Sequence, residues 1–105
     1  MFENLSVHEV KEKLEKIDDV VLLDVRTNDE HGLVNIGGKH IPLSELEKRY
    51  EELDKQKEII IYCHHGGRSA GACEFLAERG FTNLKNMVGG IERWSLEIDP
   101  TKQRY

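Results

Sequence analysis

Hydrophobic positions along this chain alternate between two periods. Val7, Val10, Leu14 and Ile17 recur at helical spacing. Ser6 and Glu9 form a capping box ahead of them, and Leu5 and Val10 are placed as a hydrophobic staple. Asp18-Asp19 ends that pattern. Val20-Val21-Leu22-Leu23-Asp24-Val25 is short, apolar and rich in β-branched residues, which predicts a strand covered on both faces. Arg26 to Gly38 is polar and ends in two glycines, predicting a loop with room for one helical turn. Ile41-Pro42-Leu43 reads as a brief extended piece. Ser44 and Glu47 predict a second capping box, with Leu46, Tyr50 and Leu53 as the apolar face of its helix. Glu58 to Tyr62 is a strong strand, and Ser69 to Arg79 a helix stopped by Gly80. Leu84 to Val88 is another strand. Gly89-Gly90 then leads into a helix with Ile91, Trp94 and Ile98 on one side, and Asp99 to Tyr105 is an irregular tail.

Strands alternating with helices predict an α/β domain, its sheet mainly parallel and its helices on both faces. No linker, repeat or low-complexity segment divides the chain, so residues 1–105 read as one domain. In such sheets ligands bind beyond the carboxyl ends of the strands. Cys63 and the segment Asp24 to Arg26 both fall there.

Composition narrows the function. A net charge of −5 argues against a nucleic-acid binder, which would carry a basic stripe. No apolar run reaches membrane-spanning length. Met1 to Leu5 shows no basic region followed by an apolar stretch, so no secretory signal is expected. The two cysteines, Cys63 and Cys73, are too few for a disulfide framework and do not form a Cys-x-x-Cys pair, which predicts a reducing cytoplasm.

The segment from Cys63 to Ser69 carries the chemistry. It places a thiol at a strand end directly before a helix amino terminus, where unpaired N–H groups and the helix dipole favour negative charge. Gly66 and Gly67 can adopt left-handed angles and turn successive N–H groups into an anion nest. Nest, helix start and Arg68 together are expected to lower the Cys63 pKa; comparable sites fall at about 3.5–7.5. Such a thiolate attacks soft electrophiles such as a sulfane sulfur. The opposing reading is a structural cysteine at a strand end, as free cysteine often is. Cys73, on the next helix, is expected to pack in the core. His64 and His65 are adjacent on a tight loop and lack spaced partners, so they are expected at the site entrance rather than on a metal.

With these residues the chain resembles the rhodanese sulfurtransferases in their single-domain form. The resemblance is carried by Asp24-Val25-Arg26, Glu30, Gly38-Lys39-His40-Ile41-Pro42, the Cys63 to Ser69 loop, and Gly89-Gly90-Ile91 through Trp94. It implies a five-stranded sheet and a persulfide carried on Cys63. It further implies that the backbone amides of His64, His65, Gly66, Gly67, Arg68 and Ser69 hold the outer sulfur, with Arg68 orienting the loop and a donor oxyanion and Ser69 closing the loop. Asp24 and Arg26 would support the loop; Arg26 with Glu30 reads as a structural ion pair and His40 as a structural residue beneath the site. The implied reaction is ping-pong. Cys63 takes the outer sulfur of a small donor such as thiosulfate or of a persulfide, and a thiol or protein acceptor removes it, with no cofactor or metal. Val34 to Leu43 and Trp94 to Tyr105 are similar to the terminal rhodanese domain of adenylyltransferase–sulfurtransferases. Neutral His64 and His65 attract an anion less than lysine or arginine, which predicts a high thiosulfate KM.

Two other function classes compete. Phosphatases and arsenate reductases of this fold use a cysteine–arginine loop one residue longer, shaped for a tetrahedral oxyanion. Non-catalytic rhodanese-like modules have lost the cysteine, whereas this chain retains Cys63 with Gly66-Gly67-Arg68. A persulfide relay charged by a protein partner is a middle case. Oligomeric state stays open.

Overall fold

The computed structural model describes residues 1–105. Strands β1 (Glu3–Leu5), β2 (Val20–Asp24), β3 (Lys39–His40), β4 (Glu58–Tyr62) and β5 (Leu84–Met87) form one five-stranded sheet, ordered β1-β5-β4-β2-β3, with every pairing parallel. Helices α1 (Val7–Lys16), α2 (Asn28–Leu33), α3 (Leu43–Arg49) and α4 (Gly67–Glu78) make the four connections, a 3-10 turn follows α3 at Tyr50–Glu52, and α5 (Gly90–Glu97) follows β5.

The central strand shows why both faces are covered. Ile59 and Ile61 of β4 enter one apolar cluster with Leu23, Leu46, Cys73 and Leu76, which belongs to α3 and α4. Ile60 and Tyr62 point the other way, into a cluster with Val7, Val10, Met87 and Ile91 that belongs to α1 and α5. All four strand residues are fully buried. Each such side chain contributes roughly 1.5–3 kcal/mol of burial, so the continuous apolar run anchors the fold from its middle. Trp94 is only partly buried and packs at the edge of the second cluster.

Local structure departs from the sequence pattern at several ends. The Ser6–Glu9 capping box forms in both directions. The predicted Ser44–Glu47 box does not: α3 begins at Leu43 behind the N-cap Pro42, two residues earlier than that box requires. The fixed φ of Pro42, −55°, already starts the turn, and Ser44 sits inside it. Thr27 and Glu30 form a capping box instead, opening α2 within the segment read as loop. α4 starts at Gly67 rather than Ser69. Strand β1 lies at the sheet edge, paired with β5, where the pattern shows only the approach to α1.

Candidate active site

The backbone leaving β4 turns directly into α4, and Cys63 sits in that turn with 1% of its surface exposed. Its Sγ accepts hydrogen bonds from the N–H groups of Gly66 at 3.1 Å and Ser69 at 3.4 Å. The turn depends on Gly66, the residue before α4, which holds φ +110°. Gly67 has an ordinary helical φ and open space around it, so the expected second left-handed glycine is not used. Gly90 fixes the loop from below. The N–H groups of Ile91 and Glu92 donate to the carbonyls of Cys63 and His64 at 2.9 and 3.1 Å, and a Cβ on Gly90 would collide with both carbonyls.

A polar chain stands behind the sulfur. Ser69 Oγ lies 3.4 Å from Cys63 Sγ and donates to Asn86 Oδ1 at 2.5 Å. The Asn86 amide in turn donates to Gly66 O at 3.4 Å and Asn4 Oδ1 at 3.2 Å. The buried Asn86 on β5 thus ties both ends of the sulfur cradle together.

Arg68 does not stand free. Its guanidinium holds the Glu30 carboxylate in a fork at 2.6 and 2.9 Å. That contact, first among its causes, keeps Glu30 well below the ordinary carboxylate range against the opposing effect of burial. The expected Arg26–Glu30 ion pair is absent as such. Arg26 is fully buried and forks onto Asp24, with Nε 3.0 Å from Oδ1 and Nη2 2.8 Å from Oδ2, and reaches Glu30 only through its backbone carbonyl. Asp24 and Arg26 are the ends of one strand-to-loop step, so the nearer carboxylate takes the guanidinium. The Asp24 carboxylate therefore braces its own strand-to-loop step, with hydrogen bonds from Arg26 and His31. Burial opposes ionisation of Asp24, but hydrogen bonds from Arg26 and His31 outweigh it and hold the carboxyl low.

His64 stacks between His65 and Tyr105, each ring centroid 3.9 Å away. Its pKa is lowered, first by burial and then by the neighbouring His65. Tyr105 donates its hydroxyl to Glu30 at 2.7 Å and accepts from Arg26 at 2.9 Å. Beside Arg68 a cleft of about 350 Å³ opens between Val25, Thr27, Pro42, Leu43 and Ser44. His40 donates or accepts at the Arg26 carbonyl, 2.7 Å away, and stacks on His31 at 4.2 Å. Asp24, His31 and His40 bring one ligand atom each within 4.8 Å of one another. Arg26 already saturates that carboxylate, and a metal cation there would face its guanidinium, so the cluster fits a structural polar network and not a metal.

The sequence model of the Rhodanese-like domain matches residues 6–97. The chain belongs to the rhodanese-like family. It is 38% identical over 92 residues to a putative sulfur carrier protein, YrkF, of Bacillus subtilis, covering 87% of this chain and 50% of that one. It is 33% identical over 95 residues to the thiosulfate sulfurtransferase GlpE of Coxiella burnetii, covering 90% and 88%. The adenylyltransferase and sulfurtransferase MOCS3 of Arabidopsis thaliana is 32% identical over 118 residues, covering 96% of this chain and 25% of that one. The chain thus spans half the Bacillus carrier and a quarter of the Arabidopsis enzyme. A rhodanese-related protein of Thermoplasma volcanium superposes with a TM-score of 0.83 at 32% identity, covering 91% and 93%.

In this rhodanese-like domain Cys63, Gly66, Arg68 and Ser69 converge on one turn, with His64 and His65 on its rim. Asp24 and Arg26 stand one strand away. Sequence reasoning missed Asn86, Gly90 and Tyr105 as parts of the site. Thr27-x-x-Glu30 carried a capping signal that would have placed Glu30; Asn86 and Tyr105 carried no periodic signal at all.

Proposed function

We propose that this domain is a sulfurtransferase that carries a sulfane sulfur as a persulfide on Cys63. The observation behind this reading is the pair of N–H groups aimed at Cys63 Sγ, in a loop with four residues between the cysteine and Arg68. The first N–H groups of α4 lack intrahelical acceptors, as at any helix start, and would cradle the outer sulfur. In the first half-reaction the Cys63 thiolate attacks the outer sulfur of the donor. The donor's S–S bond breaks, its electron pair leaves with sulfite or a thiolate, and a Cys63 persulfide remains. An acceptor nucleophile then attacks that outer sulfur and returns the electron pair to Sγ.

The Glu30–Arg68 pair favours a persulfide donor over thiosulfate. With its charge already balanced, Arg68 offers little to a sulfonate group, so the thiosulfate KM is expected to be high. A reducing cytoplasm suits a site that must return to the free thiol. The test is intact-mass analysis of the reduced protein after incubation with thiosulfate or with glutathione persulfide, repeated with Cys63→Ser. One added sulfur, absent in the variant and released by cyanide as thiocyanate, is the expected result. No added sulfur from either donor would overturn the reading.

A further inference from the structure

The tail beyond α5 has no regular structure, yet it is anchored along its length. The Asp99 N–H donates to the Trp94 carbonyl of α5 at 3.0 Å, and Arg104 pairs with Glu92 of α5 at 2.6 Å. Tyr105 then lies on the Cys63 loop. Its ring stacks on His64 with the planes 10° apart, and its hydroxyl bonds the Glu30 carboxylate that grips Arg68. One side chain therefore links the first residue after Cys63 to the partner of the last arginine in the loop. A phenol held at both ends in this way spans from His64, the residue after the almost fully buried Cys63, to Glu30.

We propose that Tyr105 is a specificity-determining residue of the sulfur-transfer site: with His64 it forms a fixed aromatic wall that admits slender donors and acceptors and slows broad ones. The proposal rests on the reading of Cys63 as the sulfur carrier. The favoured class is a cyanide ion or a thiolate on an unbranched carbon; the disfavoured class carries its thiol on a branched or ring-bearing carbon. In the transfer the acceptor thiolate attacks the outer sulfur, the Sγ–S bond breaks, and its electron pair stays on Sγ. No oxidant or reductant is consumed. A broad acceptor must first lift the Tyr105 ring from His64 and break its bonds to Glu30 and Arg26. Arg26, Asp24, Glu30 and Arg68 form two balanced ion pairs around the wall, so girth rather than charge sets the selection.

The wall can be tested without sulfur transfer, by alkylating Cys63 with two reagents that share one reactive group, N-methylmaleimide and pyrenyl maleimide. Cys63→Ser supplies the background. Tyr105→Ala is expected to raise the ratio of the pyrenyl rate to the methyl rate about tenfold, the factor carried by an aromatic contact of the kind lost. Tyr105→Phe, which keeps the ring on His64 but loses the hydroxyl's bonds to Glu30 and Arg26, is expected to raise the ratio by less than Tyr105→Ala does. Arg104→Ala frees the tail from Glu92 without touching the loop and should move the ratio the same way by less. A ratio that stays constant, or two rates that rise in parallel because the loop has loosened, would overturn the proposal. Persulfide discharge by cyanide, measured on the same proteins, separates the two ideas. Failure to take up sulfur sinks the sulfurtransferase reading, while the alkylation ratio still decides the wall.

Discussion

Cys63 and Cys73 share an apolar cluster and are 1% and 0% exposed, yet the fold gives them opposite surroundings. Cys73 sits in the body of α4, where the backbone N–H groups are spent on the helix, and burial pushes its thiol up to about 12. Cys63 sits where β4 has ended and α4 has not begun, and two N–H groups are left over to point at its sulfur. Burial alone makes a thiol inert; burial beside unspent backbone donors makes an anion site. The difference lies in the backbone around each cysteine, not in its exposure.

The largest consequence is chemical selectivity. A thiol with a pKa near 12 is thiolate at pH 7 in only about one molecule in a hundred thousand. Iodoacetamide should therefore modify Cys63 at least about a thousandfold faster than Cys73 in the folded protein, with the gap closing in denaturant. A time course of peptide masses measures both rates at once. Similar rates in the folded state would remove the distinction on which the site rests.

The strands and the thiol turn were legible because they are written locally. An apolar run such as Ile59-Ile60-Ile61 has one low-energy use in an α/β chain, and a cysteine followed by two glycines and an arginine announces a tight turn. Other features had no local script. β1 is three residues long and buries only Leu5, too little for a period to show. α2 hid inside a polar stretch because no residue in it is buried, so only the Thr27–Glu30 box marked it. Asn86 and Tyr105 reach the site through contacts with residues far away in sequence, and a polar side chain satisfied at long range leaves no pattern. The partner of Arg26 was misassigned for a related reason. Arg26 and Glu30 read as an ion pair in the sequence, but Glu30 is taken by Arg68 from a distant element, and Asp24 closes the nearer fork.

The contrast between the cysteines can be sharpened at the turn itself. Gly66 holds φ +110°, and a Cβ there would press to 3.3 Å on the Gly89 nitrogen; Gly67 has neither constraint. Gly66→Ala is expected to destabilise the fold by about 1–2 kcal/mol, the cost of forcing an L-residue into left-handed geometry. It should also slow Cys63 alkylation, because the Gly66 N–H moves off the sulfur. Gly67→Ala is expected to stay within about 0.5 kcal/mol, as changes at open positions usually do. Urea midpoints of both variants check this. Equal losses would mean that the turn does not depend on the left-handed residue.

The smallest effect concerns the ion pair that closes the loop. Glu30 is held below its ordinary value of 4.5, first by Arg68, then by Tyr105 and the Thr27 backbone, with burial opposing. A lowered carboxyl stabilises the fold fully above the unfolded value and loses that contribution as pH falls toward the folded one. Glu30→Gln keeps the capping box, which glutamine also satisfies, and removes the charge together with the Oε2 acceptor that Arg68 and Tyr105 use. Wild type should therefore exceed Glu30→Gln by a constant margin from about pH 8 to pH 5, and the margin should shrink below about pH 4.5. Arg68 is 38% exposed, so solvent screening limits the margin to about 1 kcal/mol or less, and added salt should reduce it further. Urea midpoints across pH and salt give the margin directly. A margin indifferent to pH would show that Glu30 holds the loop through its cap alone, leaving Arg68 free to meet an anionic donor. The thiosulfate KM of the wild type would then be low, and the preference for persulfide donors would fall with it.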